Sequence, residues 1–254
     1  IVRGGWPENI GTTPDKAHLM PRSYMSNILE EDLRKLDDDT DYNRKKAELL
    51  LRSLARNEAT TASDMSLLKD IAAQDDETIS RNTVDKYLDA FNRMFLLNNQ
   101  PPFSPNLRSS LRVKQAEKRH FADPAMACAL LNITPQKLIG DLNTFGFMFE
   151  ALAEHDLAVY AQAFGAKLYH YQDYNGNEID AVLELEDGDW CAFEIKLGAN
   201  KADEGANNLV KVCKAIEAHG GKPPKAKCVI CGLGNAAYTR PDGVMVVPIN
   251  VLKD

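Results

Sequence analysis

Three short pieces in the second half of the chain place acidic or basic side chains where an apolar pattern would rather not have them. Glu150 follows Phe149 in a helical run, Asp180 sits in Glu178-Ile179-Asp180-Ala181-Val182, and Glu194 and Lys196 flank Ile195 in Ala192-Phe193-Glu194-Ile195-Lys196. Residues two apart on a strand share a face, so Glu194 and Lys196 are expected to point one way, and Phe193 and Ile195 the other way into the core. If the two extended pieces pair as a hairpin around Asp187-Gly188, Asp180 lies on the face of Glu194. Two converging carboxylates repel each other unless a cation sits between them, and hard oxygen ligands suit Mg²⁺ or Mn²⁺. Such an ion polarises a phosphoryl oxygen and acidifies a bound water, while the Lys196 ammonium orients that water or stabilises developing negative charge.

The elements that must position these groups are legible in the same region. A helix is expected over Thr144–Tyr160, followed by β-like runs at Lys167–Tyr171, Glu178–Leu185 and Trp190–Lys196 with turn signals at Asn175-Gly176 and Asp187-Gly188. A helix over Ala202–Ala218 and two more apolar β runs, Lys227–Leu233 and Val244–Ile249, complete the order α-β-β-β-α-β-β. This order predicts a mixed sheet with helices packed against it. Tyr169 and Tyr171, alternating on a strand beside Asp173, could line the cleft but are read first as packing residues, and Cys228-Val229-Ile230-Cys231 is read as a buried pair in a strand, since no second pair completes a zinc site.

Ahead of this region, apolar stripes at three- and four-residue steps predict helices carrying Met25 to Leu36, Ala47 to Ala55, Leu67 to Ile71 and Val84 to Phe95, with Ser63 and Ser80 as caps. Three prolines then precede two extended pieces, Leu111–Val113 and Arg119–Ala122. Helices followed by a hairpin read as a winged helix-turn-helix. Its third helix would offer Arg81, Asn82, Lys86, Asn92 and Arg93 to DNA, and its wing would bring Arg108, Arg112, Lys114, Lys118 and Arg119 to phosphates, which position a protein without specifying sequence. Asp85 and Asp89 on the same helix weigh against DNA. Such domains also serve as protein–protein spacers.

Charge agrees with a local nucleic-acid face. The 254 residues hold 30 Lys and Arg against 37 Asp and Glu, a net of −7, yet residues 42–122 carry 14 basic and 10 acidic groups between acidic flanks. An apolar share of 44% excludes disordered, collagenous and coiled-coil classes, and leaves room for one large or two modest domains. No run approaches the roughly 18 apolar residues of a membrane helix, so no membrane partner is expected. The five cysteines are an odd, scattered set, which suits a reducing cytoplasm. No G-x-x-x-x-G-K-[S/T] occurs, so neither a bound nucleotide nor ATP hydrolysis is expected in this chain. An opening on Ile1, running straight into Gly4-Gly5-Trp6-Pro7, is expected of the tail of something longer.

The set Glu150, Asp180 and Glu194-Ile195-Lys196 resembles the PD-(D/E)xK phosphodiesterase superfamily of restriction-endonuclease-like fold, with Ile179 in place of that pattern's proline. Gly4-Gly5-Trp6-Pro7-Glu8, the winged-helix middle, and the blocks Tyr171–Asp180 and Phe193–Gly198 resemble the C-terminal half of bacterial and archaeal AAA+-type ATPases. The resemblance covers nearly the whole chain. It implies an α/β protein: a linker and helical segment over residues 1–40, a winged helix-turn-helix over 41–125, and a restriction-endonuclease-like mixed-sheet domain over 140–254. It implies an Mg²⁺-dependent DNA phosphodiesterase, with Asp180 and Glu194 as metal ligands, Glu150 as auxiliary ligand or base through water, and Lys196 positioning the nucleophile. The implied partners are DNA and a P-loop ATPase region or subunit. The alternative is a non-catalytic DNA- or protein-binding tail of an ATPase, in which Glu194 and Lys196 form only a salt bridge. The acidic net of the second half favours that alternative, because a nuclease needs cationic surface to hold its substrate.

Overall fold

The computed structural model describes residues 1–36, 42–105, 114 and 116–252. The chain divides into two compact units, residues 1–99 with 118–151, and residues 100–117 with 152–254. Among the described residues no helix is long and apolar enough to cross a membrane.

The first unit is helical. Helix α1 (Leu19–Asn27) runs through a π-helical turn (Ile28–Asp32) into the short α2 (Leu33–Lys35). Helices α3 (Arg44–Arg56), α4 (Asp64–Asp75) and α5 (Arg81–Arg93) follow, then α6 (Pro124–Leu130) and α7 (Pro135–Gly140). Their starts follow from short polar side chains that accept an otherwise orphaned backbone N–H: Asn43 from Lys46, Ser63 from Ser66, Ser80 from Thr83 and Asp123 from Ala125. The apolar stripe of α3 is fully buried at Ala47, Leu50, Leu51 and Ala55. Residues 1–36, expected as a linker and helical segment, contribute Val2, Met25, Ile28, Leu29 and Leu33 to the same core as α3, α5 and α6. The expected turn at the start of the chain is pinned to this unit, for Gly5 N donates to Asp123 Oδ2 at 2.7 Å. Gly4, at φ +67°, leaves no room for a Cβ against the Trp6 ring.

Short antiparallel bridges join Thr60 to Arg119 and Leu97 to Phe121. The Arg119–Ala122 piece therefore pairs with the helical unit, while the chain between these bridges behaves differently. Phe103 N donates to His170 O, His170 N to Pro101 O, and Lys114 N to Gln172 O, so Pro101, Phe103 and Lys114 lie along an edge of the second unit's sheet. Burying Phe103 against Trp190, with ring centroids 5.1 Å apart, gives this segment an apolar reason to lie there. Leu111–Val113 lies outside the described residues.

Helix α8 (Leu142–Ala163) leads to the second unit, which is built on a six-stranded mixed sheet. Its strands are β1 (Lys167–Gln172), β2 (Glu178–Glu184), β3 (Trp190–Gly198), β4 (Ala226–Leu233), β5 (Tyr238–Thr239) and β6 (Met245–Pro248). They are ordered β1-β2-β3-β4-β6-β5. β1–β2, β2–β3 and β5–β6 are antiparallel, whereas β3–β4 and β4–β6 are parallel. A parallel pair needs a crossover, and α9 (Ala202–Ala218) supplies it between β3 and β4. Its stripe Ala202, Ala206, Leu209, Val212 and Ile216 packs with Tyr171, Ile179, Trp190, Ala192, Val229 and Val246. The small residues at the start of that stripe let the helix lie close to the sheet.

Candidate functional site

β2 and β3 bring Asp180, Glu194 and Lys196 together. Their antiparallel ladder runs from Glu184 opposite Trp190 to Ala181 opposite Phe193, so Asp180 falls just past the last paired position, level with Glu194. The β1–β2 register shifts at the same place: Tyr169 opposes Val182 but Tyr171 opposes Ile179, leaving His170 against both Asp180 and Ala181. A bulge of this kind bends its strand and re-aims a side chain. Here the Asp180 carboxylate takes the place of a ladder acceptor, for Ile195 N donates to Asp180 Oδ2 at 2.8 Å. Lys196 Nζ donates to the same oxygen at 3.4 Å and lies 2.7 Å from Glu194 Oε2. One ammonium thus bridges two carboxylates from adjacent strands.

The sheet face carrying this cluster is the one that α9 covers. Trp190 and Ala192, which alternate onto the same side as Glu194 and Lys196, belong to the core cluster that includes α9. Ile195 is buried as expected, but the Glu194 and Lys196 side, expected to face away from the core, is covered too. The difference has a local cause: Gly205 of α9 passes so near that a Cβ there would stand 3.3 Å from Glu194 Cβ and 3.4 Å from Lys196 Cγ and Cε. Glu194 is consequently only 2% exposed. Burial, and secondarily the charge of Asp180, push its carboxyl up to about 7, against the opposing pull of Lys196 and Asn208. A group so placed holds its proton more tightly than an exposed glutamate does.

Sequence reasoning missed Asn208. It sits one turn beyond Gly205 on α9, and its Nδ2 donates to Glu194 Oε1 and to Glu178 O, both at 2.9 Å. Two acceptors facing one amide fix which end of that amide points at them. The available signal was Gly205-Ala206-Asn207-Asn208 inside a helical stripe, where glycine and asparagine are poor helix formers and need a tertiary reason to be there.

Other expected site residues are placed differently. Glu150 belongs to the helical unit, where Lys118 Nζ lies 2.5 Å from its Oε1. Arg119 is engaged with Asp64 Oδ1 at 2.6 Å and with Ala62 O at 3.0 Å. Lys86 Nζ stands over the Tyr42 ring, 4.8 Å from its centroid, and Arg93 donates to Leu36 O at 3.4 Å. Arg81, Asn82, Lys86 and Arg93 are exposed on α5, as are Asp85 and Asp89. Lys114 is half-buried, and Arg108 and Arg112 lie outside the described residues. Tyr171 is buried, with its hydroxyl donating to Asp173 Oδ2 at 3.4 Å, in keeping with a packing role.

Cys228 and Cys231 are buried and free in β4, three residues apart on a strand and so directed to opposite faces. Burial pushes the Cys228 thiol up to about 12, which is the setting of an inert core cysteine. Among the described residues no group of three or more His, Cys, Asp and Glu side chains is placed to hold a metal. Asp180 and Glu194 are a pair. A pair nonetheless fits Mg²⁺, which keeps several waters and is commonly held by one or two carboxylates together with substrate phosphate. Repulsion from the Asp180 charge, which adds to burial in raising Glu194, is the kind a cation relieves.

No curated protein matches the chain. Residues 145–252, which hold Glu150 and the cluster on β2 and β3, match a family described as a domain of unknown function, DUF4143. Residues 1–137, more than half of the chain, match a second domain of unknown function, and on that extent the protein belongs to the DUF8612 family.

Proposed function

We propose that the sheet unit is a divalent-cation-dependent phosphodiesterase of the PD-(D/E)xK type, acting on DNA, and that the helical unit is a winged helix that serves it. The observation that carries this reading is the meeting of Asp180, Glu194 and Lys196, with Lys196 Nζ 3.4 Å and 2.7 Å from the two carboxylates. Strands β1 to β4, with α9 crossing between β3 and β4, support a restriction-endonuclease-like core. The winged-helix reading is supported by the order of α3, the Thr60 bridge, α4, α5 and the Leu97–Phe121 bridge.

Asp180 and Glu194 would hold Mg²⁺ or Mn²⁺. When bound, the ion supplies Lewis-acid polarisation of a phosphoryl oxygen and a lowered pKa for water. Lys196 orients the attacking water and, once freed from neutralising two carboxylates, stabilises charge that develops on the phosphoryl oxygens. Ile195 N keeps Asp180 aimed at the cluster, and the covering α9 limits water around it. Glu150, neutralised by Lys118, is assigned no step. DNA contact falls to Arg81, Asn82, Lys86 and Arg93 on α5, since Lys118 and Arg119 have internal acidic partners. DUF4143 domains are typical of the C-terminal regions of AAA ATPases, which supports an ATPase region or subunit as partner.

The test is incubation of the purified protein with linear, circular and single-stranded DNA, with and without Mg²⁺ or Mn²⁺. Cleavage that needs the metal and is lost in Lys196→Ala is expected. No metal-dependent cleavage of any form refutes the catalytic reading. The second reading, a non-catalytic binding tail, is favoured by one observation: Lys196 forms ion pairs with both carboxylates. It predicts salt-sensitive DNA binding with no Mn²⁺ affinity, and calorimetric titration of wild type against Asp180→Ala separates the two.

A further inference from the structure

Glu194 has two carboxylate oxygens, and the structure gives them different neighbours. Oε1 accepts from Asn208 Nδ2 at 2.9 Å, while Oε2 faces Lys196 Nζ at 2.7 Å. Asn208 is itself held, because its second N–H is directed to Glu178 O at 2.9 Å, on the strand that carries Asp180 two residues later. Rotating the amide would turn its oxygen toward two acceptors, so the carboxamide has one favourable orientation. Its backbone is anchored as well, since neighbouring Leu209 is fully buried in the core and Gly205 lets α9 press against β3. The Glu194 carboxylate is therefore clamped in rotation, presenting one oxygen to the point it shares with Asp180 and Lys196.

This difference between oxygens has a chemical consequence. Mg²⁺ and Mn²⁺ are satisfied by single carboxylate oxygens in octahedral sets, whereas Ca²⁺ accepts six to eight oxygens and readily takes a carboxylate through both. Resting on the metal-dependent reading above, we infer that Asn208 is a positioning residue that confines Glu194 to one-oxygen ligation and thereby selects small octahedral cations over Ca²⁺. Residues behind metal ligands commonly tune affinity by about 10–100-fold.

The experiment is calorimetric titration of the full chain with Mn²⁺ and, separately, with Ca²⁺, for wild type, Asn208→Ala and Asn208→Leu. The leucine variant keeps the branched shape, leaves no cavity and removes both N–H donors, so a change shared by the two variants is not due to a cavity. Circular dichroism at the titration temperature selects folded samples, and either variant alone suffices should the other fail to fold. Wild type is expected to bind Mn²⁺ in preference to Ca²⁺. Loss of the Asn208 amide is expected to shift the ratio of the two affinities toward Ca²⁺ by about tenfold or more. A purely structural role for Asn208 would weaken both ions alike. An unchanged ratio overturns the inference while leaving the metal-dependent reading standing, whereas a wild type that binds neither ion overturns that reading and the inference with it.

Discussion

Replacing Glu194 by glutamine in metal-free protein tests the electrostatics of the cluster without any assumption about catalysis. The Glu194 carboxyl is raised from an ordinary 4.5 to about 7, first by burial and then by Asp180. A folded state that holds its proton more tightly than the unfolded chain gains stability that is fully present below pH 4.5. That stability is lost as pH rises through the window from 4.5 to 7. At about 1.4 kcal/mol per pKa unit, the loss amounts to about 3 kcal/mol, and at 2% exposure there is little solvent screening to reduce it. The glutamine amide does not titrate. It keeps the shape and still accepts from Asn208, and whatever it loses by facing Lys196 is a constant across pH. The assay is urea denaturation in chelator at matched ionic strength, followed by fluorescence of Trp190, which is buried in the sheet unit on the same strand. Because the chain has two tryptophans, a Trp6→Phe background confines the signal to that unit. Wild type should lose about 3 kcal/mol more than the glutamine variant between the two ends of the window. Parallel pH profiles for the two proteins would show that Glu194 ionises as readily folded as unfolded, and the raised carboxyl would be wrong.

Two further perturbations address how the site is built. Gly205→Val places a branched side chain where even a Cβ meets Glu194 Cβ at 3.3 Å; it should destabilise the sheet unit by about 1–3 kcal/mol in the same assay, and a neutral result would mean that α9 stands off the strand. Lys118→Met removes a cation whose side chain is 8% exposed from beside Glu150, at an expected cost of about 1–3 kcal/mol to the helical unit, read from Trp6 in a Trp190→Phe background. Adding Glu150→Gln should recover part of that loss, and a strictly additive double variant would deny the coupling.

The contrast between the two units shows what kind of information a linear pattern carries. In the helical unit, caps and stripes are local: Ser63 and Ser80 lie one residue before the helices they start, and Leu50, Leu51 and Leu54 lie on one face because 3.6 residues make a turn. The expected β runs and the α9 crossover were equally legible, since β-branched runs and turn signals mark strands whatever their neighbours are. The short β5 was not, because two exposed residues carry no period. The site is partly of each kind. Spacing alone placed Glu194 and Lys196 on one face of β3, and a hairpin around Asp187-Gly188 placed Asp180 beside them.

Residue types and their local spacing thus determined the strands, the helices and the three charged side chains that cluster on the sheet, because propensity, capping and alternation act over a few residues. Tertiary structure decided which face of β3 the helix covers, where the β2 bulge aims Asp180, and that Asn208 grips one oxygen of Glu194. It also decided that Glu150, Lys118 and Arg119 are spent on internal pairs. Those outcomes depend on the close approach of groups far apart in the chain, such as Lys118 and Glu150 or Gly205 and Glu194. Such approach is governed by packing of the whole unit, which no window of neighbouring residues contains.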